Sequence, residues 1–294
     1  MLSARGDKRI GSGRLAWTLA FTNRMWCLGV DREGLLLDTR FVPATDVDER
    51  ARACLYLLLD GTFEIHAPHT RRFEAPTAFV LSETQIDGAR GVRPLTFRGT
   101  GEPYVALELH LPSEDLVAPI GGIPDAFAVD AIACAHARAI AQGGDTDRIA
   151  PLLAHLATLG IVSSSVAEDA ARPPPRAFVV LWRALRPMIE RLYLTPTLQE
   201  IGDASGISVR QIERYTQDFV AAFALVGVGW RPATRHLRLK LAILLASADG
   251  TSVAEIARTV GYGGPDAMAR AFRDAGLPPP SVVQERVRAA NRAR

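Results

Sequence analysis

The stretch LQEIGDASGISVRQIERY, residues 198–215, has the pattern of two short helices that meet at a tight turn. Ile201 and Ile212 supply apolar contacts between the helices, and Gly206 suits a turn position with a left-handed backbone. Ser208 offers a side-chain oxygen to the free amides at the start of the second helix. The stretch therefore predicts a helix-turn-helix unit.

The same spacing of apolar and glycine positions recurs further along the chain. Ser252 or Thr251 with Glu255 makes a capping box at the start of a helix, and Pro265 suits the first turn of the helix that follows. The chain is thus predicted to carry two such units. They are placed at about residues 197–219 and 252–274.

A single helix is predicted between the two units, from Pro232 to about Ala248, because leucines recur there at helical spacing. A helix of about 17 residues spans about 25 Å. Two units fixed to its ends would suit successive major grooves of DNA, which lie about 34 Å apart.

The charge of the chain is divided unevenly. Residues 1–175 carry 17 Lys and Arg against 22 Asp and Glu, whereas residues 176–294 carry 17 against 10. An acidic front half joined to a basic back half indicates an anionic partner for the back half, since phosphate backbones attract basic surfaces.

In a helix-turn-helix unit the start of the second helix enters the major groove. Arg210 and Gln211 are the first candidates for base contact, since arginine can bond guanine and glutamine can bond adenine. Arg214 suits either a phosphate contact or a salt bridge. The arginines of the predicted linker helix could contact the phosphates that lie between two grooves. The alternative is that they form a basic face exposed to solvent. The predicted DNA contacts are Ser208, Val209, Arg210, Gln211, Arg214, Arg231, Arg235, Arg238, Asp266, Ala267 and Arg270.

Three consecutive prolines at 173–175 separate the two halves of the chain. A helix cannot cross them, because prolines lack amide donors and hold the backbone extended. We therefore predict one domain over residues 1–172 and another over 173–294. The second domain begins with a helix over Ala177–Leu192, which Pro187 should kink or split.

Residues from about 26 to 111 have the pattern of several short strands. The strand-like runs are Arg52–Leu59, Gly61–His66, Ala78–Leu81 and Tyr104–Leu111. Asp60-Gly61 is a turn signal between the first two runs. Short strands at hairpin spacing predict a small antiparallel barrel or a double-sheet roll.

Residues from about 113 to 170 have a helical pattern with an apolar stripe along one face. The stripe consists of Ile149, Leu152, Leu153, Leu156 and Leu159. Such a stripe packs either on the barrel or on a second subunit, and we favour packing within the chain.

Residues from about 177 to 288 resemble the DNA-binding domain of the AraC/XylS family of bacterial transcriptional regulators. The more specific match lies in the second unit, where a glycine-aromatic pair precedes an arginine-x-phenylalanine-basic run. Met268 departs from the family pattern, because an aromatic residue is usual there. The matching residues are Ile256-Ala257, Gly261-Tyr262, Pro265, Arg270-Ala271-Phe272-Arg273, Gly276 and Pro279.

The resemblance implies a sequence-specific DNA-binding regulator of transcription, with double-stranded DNA and RNA polymerase as partners. It also implies a cupin-like N-terminal barrel that binds a small effector and governs dimerisation. The predicted fold class is α+β with two domains: an antiparallel β-barrel with helices, then an all-α domain whose two helix-turn-helix units are joined by a linker helix. Candidate effector contacts are Phe63, His66, Phe79 and Tyr104, for which core packing is the alternative.

Two other functions are kept open. A metal-dependent cupin-type enzyme would need about three convergent ligands, for which the candidates are His66 and His69 with Glu108 or His110. The close histidine pair of metal cupins and the usual nucleophile motifs are absent from the sequence, so no catalytic residue, metal or cofactor is predicted. A protein-interaction function for decayed helix-turn-helix units is the other alternative, which Met268 suggests.

The sequence also predicts a cytoplasmic protein. No apolar run reaches the length of a membrane-spanning helix, and no signal peptide is recognisable. Cys27, Cys54 and Cys134 are odd in number and widely spaced, which favours reduced thiols over a disulfide framework.

Overall fold

The N-terminal part of the chain is an antiparallel sheet, and the rest is helical. The computed structural model describes residues 1–38, 52–66, 70–82, 96–117, 125–225 and 230–292. The strands are β1 (Leu2–Ile10), β2 (Gly13–Phe21), β3 (Trp26–Glu33), β4 (Leu37–Asp38), β5 (Arg52–His66), β6 (Thr70–Glu74), β7 (Thr77–Ser82) and β8 (Thr96–Pro112). His69, one of the predicted metal candidates, lies outside the described residues.

The strands pair in the order β1-β2-β3-β8-β5, and all the pairs are antiparallel. Both β6 and β7 pair with the far side of β5, and β4 pairs with β8. The sheet is curled into a half-barrel, which confirms the predicted cupin-like fold of this region.

One strand prediction is wrong, and one hairpin was not predicted. Asp60-Gly61 is not a turn between strands, because β5 runs unbroken past it and only its register with β8 shifts there. The β1–β2 hairpin was not predicted at all. Its inward positions in β1 include the small residues Ala4 and Gly6 among charged neighbours, so the apolar alternation that identifies a strand is weak.

Three helices cover one face of the sheet: α1 (Ala131–Ala141), α2 (Ile149–Thr158) and α3 (Ser164–Ala171). The apolar stripe predicted for this region is buried against the sheet at four of its five positions, Ile149, Leu152, Leu153 and Leu156. Packing within the chain is therefore confirmed for those four, whereas Leu159 is exposed.

Seven further helices form the C-terminal region. They are α4 (Arg176–Glu190), α5 (Leu198–Ser205), α6 (Val209–Ala222), α7 (Trp230–Ala246), α8 (Val253–Thr259), α9 (Pro265–Asp274) and α10 (Pro280–Arg292). The pairs α5–α6 and α8–α9 are the two predicted helix-turn-helix units, and α7 is the predicted linker helix. None of the helices in the described ranges is long and apolar enough to cross a membrane.

The prolines act nearly as predicted. Helix α3 ends at Ala171 and α4 begins at Arg176, so the backbone is non-helical across the three prolines. Pro187 does not split α4, which continues to Glu190. The site of the boundary between the two domains stays a prediction.

The β1–β2 hairpin packs against the C-terminal helices. Phe21 lies 4.8 Å from Phe219 of α6, 4.8 Å from Phe223 and 5.2 Å from Trp182 of α4, measured between ring centroids. Trp17 belongs to a second apolar cluster that also contains residues of α7, α8, α9 and α10. The hairpin therefore contacts the cores of both helix-turn-helix units.

Hydrogen bonds reinforce this contact. The indole N–H of Trp182 donates to the carbonyl of Ser3 at 3.1 Å, and that of Trp17 donates to the carbonyl of Ile189 at 3.2 Å. At the hairpin turn, the Ser12 amide donates to the Asp249 carbonyl at 2.9 Å. The two buried indole N–H groups are thus paired across the contact, which avoids a desolvation cost.

Replacing Phe21 with alanine should destabilise the whole protein. The ring is 2% exposed and contacts three aromatic side chains, so its loss should reduce the free energy of unfolding by about 3–5 kcal/mol. Equilibrium denaturation with urea measures the change. Ile132→Ala is the control, because Ile132 is 54% exposed and its loss should cost about 0.5 kcal/mol or less. Equal losses for the two variants would contradict the packing.

Candidate nucleic-acid interface

The first helix-turn-helix unit is capped at both of its helices. Thr197 and Glu200 form a capping box at the start of α5, with the Thr197 amide donating to the Glu200 carboxylate at 2.7 Å. That hydrogen bond lowers the pKa of Glu200. Gly206 ends α5 with a φ of 69°, the left-handed conformation predicted for it.

Ser208 caps α6, as the sequence predicts, and it does so together with Gln211. The Ser208 side chain accepts from the Gln211 amide, while the Gln211 side-chain oxygen accepts from the Ser208 amide at 3.0 Å. The carbonyl half of the Gln211 side chain is therefore engaged by its own helix. A bidentate contact from Gln211 to adenine needs that oxygen free, so it would have to open the capping box.

Helix α6 separates apolar and polar residues onto different sides. Ile212, Thr216 and Phe219 are buried towards the rest of the unit. Arg210 and Arg214 are exposed at the leading part of the helix, and the Arg214 guanidinium lies 5.3 Å from the centre of the Tyr215 ring. The two cations are thus presented to solvent beside an amide-rich helix start, which favours negative charge.

The second unit has one half of its predicted capping box, a serine side chain that caps the first helix. Ser252 caps α8 and accepts from the Glu255 amide at 3.1 Å. Gly261 turns the chain with a φ of 80°, and a side chain at this position would lie 2.6 Å from Thr195. Pro265 begins α9, as predicted. The glycine at 261 is therefore required by both its backbone angle and its close neighbour.

The side chains of α9 fall into two groups. Met268 and Phe272 are buried in the core of the second unit, whereas Asp266 and Arg270 are exposed and Ala267 is half-buried. Met268 therefore belongs to the core of the unit and not to its exposed side. Methionine suits this position, because it is flexible and fills irregular core space.

Two arginines of the linker helix contact the second unit. Arg235 donates to the Ala271 carbonyl at 3.2 Å and lies 3.7 Å from the Asp274 carboxylate. Arg238 is half-buried near Tyr262, and burial lowers the pKa of its guanidinium. The Arg235 contacts hold α9 against α7. A phosphate contact by either arginine stays a prediction, as does one by Arg231.

The last helix supports the start of the second unit, which the sequence did not indicate. The Arg288 guanidinium donates to the Ala248 carbonyl at 2.8 Å and to the Thr251 carbonyl and hydroxyl at 2.6 and 2.7 Å. The Gln284 side-chain amide donates to the same hydroxyl at 3.3 Å. A long polar side chain near the chain end has no local sequence signature, so only the folded structure reveals this role.

Three of the four candidate effector residues come together on the sheet. Phe63, Phe79 and Tyr104 are buried in one aromatic cluster with Tyr56, and the Phe63 and Phe79 ring centroids are 5.3 Å apart. His66 lies at the end of β5, where it contacts Thr70 and Glu64. Effector contact by these residues stays a prediction, and their present role is packing.

Among the metal candidates that the structure describes, His66 lies apart from Glu108 and His110. His66 pairs with Thr96 and His110 pairs with Cys54, so the two histidines lie at opposite ends of the β5–β8 ladder. The structure instead brings Cys54, Glu108 and His110 together, with donor atoms within 4.8 Å of one another. Cys54 had no motif around it, so only its strand register identifies it as a neighbour of His110.

No family model matches the chain, and no curated protein sequence matches it. Solved structures do match it over much of its length. ToxT from Vibrio cholerae O395 has a TM-score of 0.35 and 9% identity, covering 96% of this chain and 95% of ToxT. The AraC-like transcriptional activator CuxR has a TM-score of 0.29 and 14% identity, covering 84% of this chain and 86% of CuxR.

The sheet has a separate match. KdgF from Halomonas sp. has a TM-score of 0.25 and 15% identity, covering 36% of this chain and 84% of KdgF. At such TM-scores and identities a likeness does not transfer a function, a ligand or a partner. The function is therefore inferred from the residues of this chain.

Proposed function

We propose that the protein is a sequence-specific DNA-binding regulator of transcription. The observation that carries the proposal is the arrangement of α6 and α9. In each helix the apolar side is buried in its own unit, while the first turns present exposed polar or charged side chains, Arg210 in α6 and Asp266 and Arg270 in α9. A helix that enters the major groove needs this division.

The charge distribution supports an anionic partner. Residues 176–294 carry 17 Lys and Arg against 10 Asp and Glu. Phosphate neutralisation releases bound counterions and supplies most of the affinity of non-specific DNA binding. The excess of cations in the helical half therefore favours DNA over a neutral or basic protein partner.

We assign the sequence-specific contacts with DNA bases mainly to the first helix-turn-helix unit. Arg210 is exposed, and it lies next to the capping pair that fixes the start of α6. A rigid helix start holds the guanidinium where it can bond two guanine acceptors. Gln211 contributes first to the cap, and Ser208 and Val209 approach the backbone or the groove floor.

The second unit is proposed to bind DNA as well. Its core is complete, since Met268 and Phe272 are both buried, and this argues against a decayed unit that binds only proteins. Arg270 is exposed on α9 and would contact a phosphate or a base. Asp266 and Ala267 would lie near bases at the helix start.

The N-terminal half is proposed to control this binding. We assign residues 1–172 to an effector and dimerisation domain and residues 173–294 to the DNA-binding domain, within a cytoplasmic regulator that acts on RNA polymerase. The aromatic cluster around Phe79 is the proposed effector region. The contact of the β1–β2 hairpin with both units provides a physical route for control.

Replacing Arg210 with alanine should weaken binding to the specific DNA site by about 1–3 kcal/mol and relax specificity at the base pair that it contacts. The specific site would first be found by enriching random DNA on the purified protein. Fluorescence anisotropy with that site and its single-base variants then measures the change.

The control for Arg210→Ala is Arg72→Ala. It removes one cation of the same type from strand β6, where Arg72 pairs with Glu74 at 3.4 Å, and it should leave DNA affinity unchanged. Arg210→Lys distinguishes the two kinds of contact. A lysine that restores binding equally on all sequences would show that Arg210 contacts phosphate and would contradict base reading.

Binding should also weaken steeply with salt. Each phosphate contact contributes about −0.9 to the slope of the logarithm of affinity against the logarithm of salt concentration. If Arg270 contacts phosphate, Arg270→Ala should lower the steepness by about one unit. Titrations at several salt concentrations measure both slopes. An affinity that does not change with salt would contradict DNA binding.

A further inference from the structure

Cys54, Glu108 and His110 form a compact group on two neighbouring strands. Cys54 of β5 and His110 of β8 are direct cross-strand partners, so their side chains leave the same face of the sheet. Glu108 lies two residues before His110 and therefore on that face too. The three side chains are brought together by register, and their donor atoms lie within 4.8 Å of one another.

The ligand types match those of zinc sites. A thiolate, an imidazole nitrogen and a carboxylate oxygen bind Zn²⁺ at about 2.3, 2.0 and 2.1 Å, and tetrahedral geometry then separates nitrogen and oxygen donors by about 3.4 Å. The His110 Nε2 and Glu108 carboxylate oxygen are 3.3 Å apart. Two of the three ligands thus already lie at the spacing that a tetrahedral ion requires.

The surroundings hold the group in place. Cys54 is 1% exposed and His110 is 6% exposed. The Trp26 ring stacks on the His110 imidazole with 3.6 Å between centroids and 6° between planes, which fixes the ring orientation. The Glu108 side chain is 21% exposed, so an ion can reach the group from solvent along it.

We propose that Cys54, Glu108 and His110 bind a borderline transition-metal ion of the Zn²⁺ class, with water or a further ligand in the fourth position. A thiolate with an imidazole selects such ions over Mg²⁺ and Ca²⁺, which prefer oxygen ligands. Binding releases the Cys54 thiol proton to solvent, since the thiolate is the ligand.

The group also lies close to the first helix-turn-helix unit. Trp26, which stacks on His110, is 6.3 Å from Phe21, and Phe21 packs on Phe219 of α6. An ion at His110 would constrain the aromatic layer on which α6 is supported. The metal would then act as an effector of DNA binding, and this consequence rests on the proposed function, whereas the site itself does not.

Cobalt titration of the full-length, metal-free protein tests the site. Co²⁺ in a tetrahedral site with one thiolate gives intense visible bands and a thiolate-to-cobalt charge-transfer band in the near ultraviolet. We expect these bands to saturate at one ion per chain and to disappear when Zn²⁺ is added. Their absence, or a spectrum of octahedral Co²⁺ alone, would overturn the proposal.

The variant Cys54→Ser and its control Cys134→Ser each remove one thiol. Cys134 lies on α1, outside the group. Cys54→Ser should abolish the charge-transfer band and weaken Zn²⁺ binding by about tenfold or more. Substitution of a residue that only supports a metal ligand already weakens metal binding by about tenfold. Cys134→Ser should change neither. Cys27 cannot substitute, because it lies in the apolar core on the other face of the sheet, beneath α1, α2 and α3.

Circular dichroism of each variant without metal shows whether it is folded. If Cys54→Ser does not fold, Glu108→Gln keeps the size of the side chain and should weaken Zn²⁺ binding as well. Equal Zn²⁺ affinity of the folded variants and the native protein would overturn the proposal.

The DNA affinity, measured with and without Zn²⁺, distinguishes the metal site itself from its role as an effector of DNA binding. A shift in DNA affinity in the native protein, lost in Cys54→Ser, supports the effector role. Zinc binding with unchanged DNA affinity keeps the site and rejects the effector role. DNA binding without any zinc binding rejects the site and leaves the proposed function intact.

Discussion

The packing of the β1–β2 hairpin against the C-terminal helices is the contact on which the rest of the structure depends. Phe21 enters an aromatic layer with Trp182, Phe219 and Phe223, and Trp17 joins the cluster that includes the second unit. Aromatic side chains bury large areas and interlock at defined angles, so the contact has both strength and a fixed geometry. One hairpin thus supports both helix-turn-helix units, whose recognition helices keep their polar sides exposed.

The two faces of the sheet pack against different parts of the protein. One face packs against α1, α2 and α3 through an apolar core. The other face carries the contacts to the helical region, the aromatic cluster and the group of Cys54, Glu108 and His110. A ligand that altered this second face would act on the surface that positions the helix-turn-helix units. Closely packed side chains leave little empty space, so they transmit a displacement to their neighbours.

The helix-turn-helix units could be predicted from sequence because their signals are local. Gly206, Ser208 and Pro265 each act on backbone within a few residues, through a left-handed angle, a cap and a fixed φ. Local strand patterns likewise predicted an antiparallel barrel or roll, and the family resemblance implied its cupin-like form. The β1–β2 hairpin was missed because small and charged residues obscure its alternation, and the unbroken course of β5 was missed because Asp60-Gly61 forms a bulge where the local pattern indicates a turn.

The sequence by itself determined the two helix-turn-helix units, the serine caps at 208 and 252, the linker helix between the units and the basic character of the C-terminal half. The tertiary structure decided which side chains are available to act. It engaged Arg235 with Asp274 and Arg288 with the start of the second unit, and it placed Cys54 beside His110. Caps and helical periodicity arise within a few residues, whereas strand register and long-range contacts join residues that are distant in the chain, and no local pattern encodes that pairing.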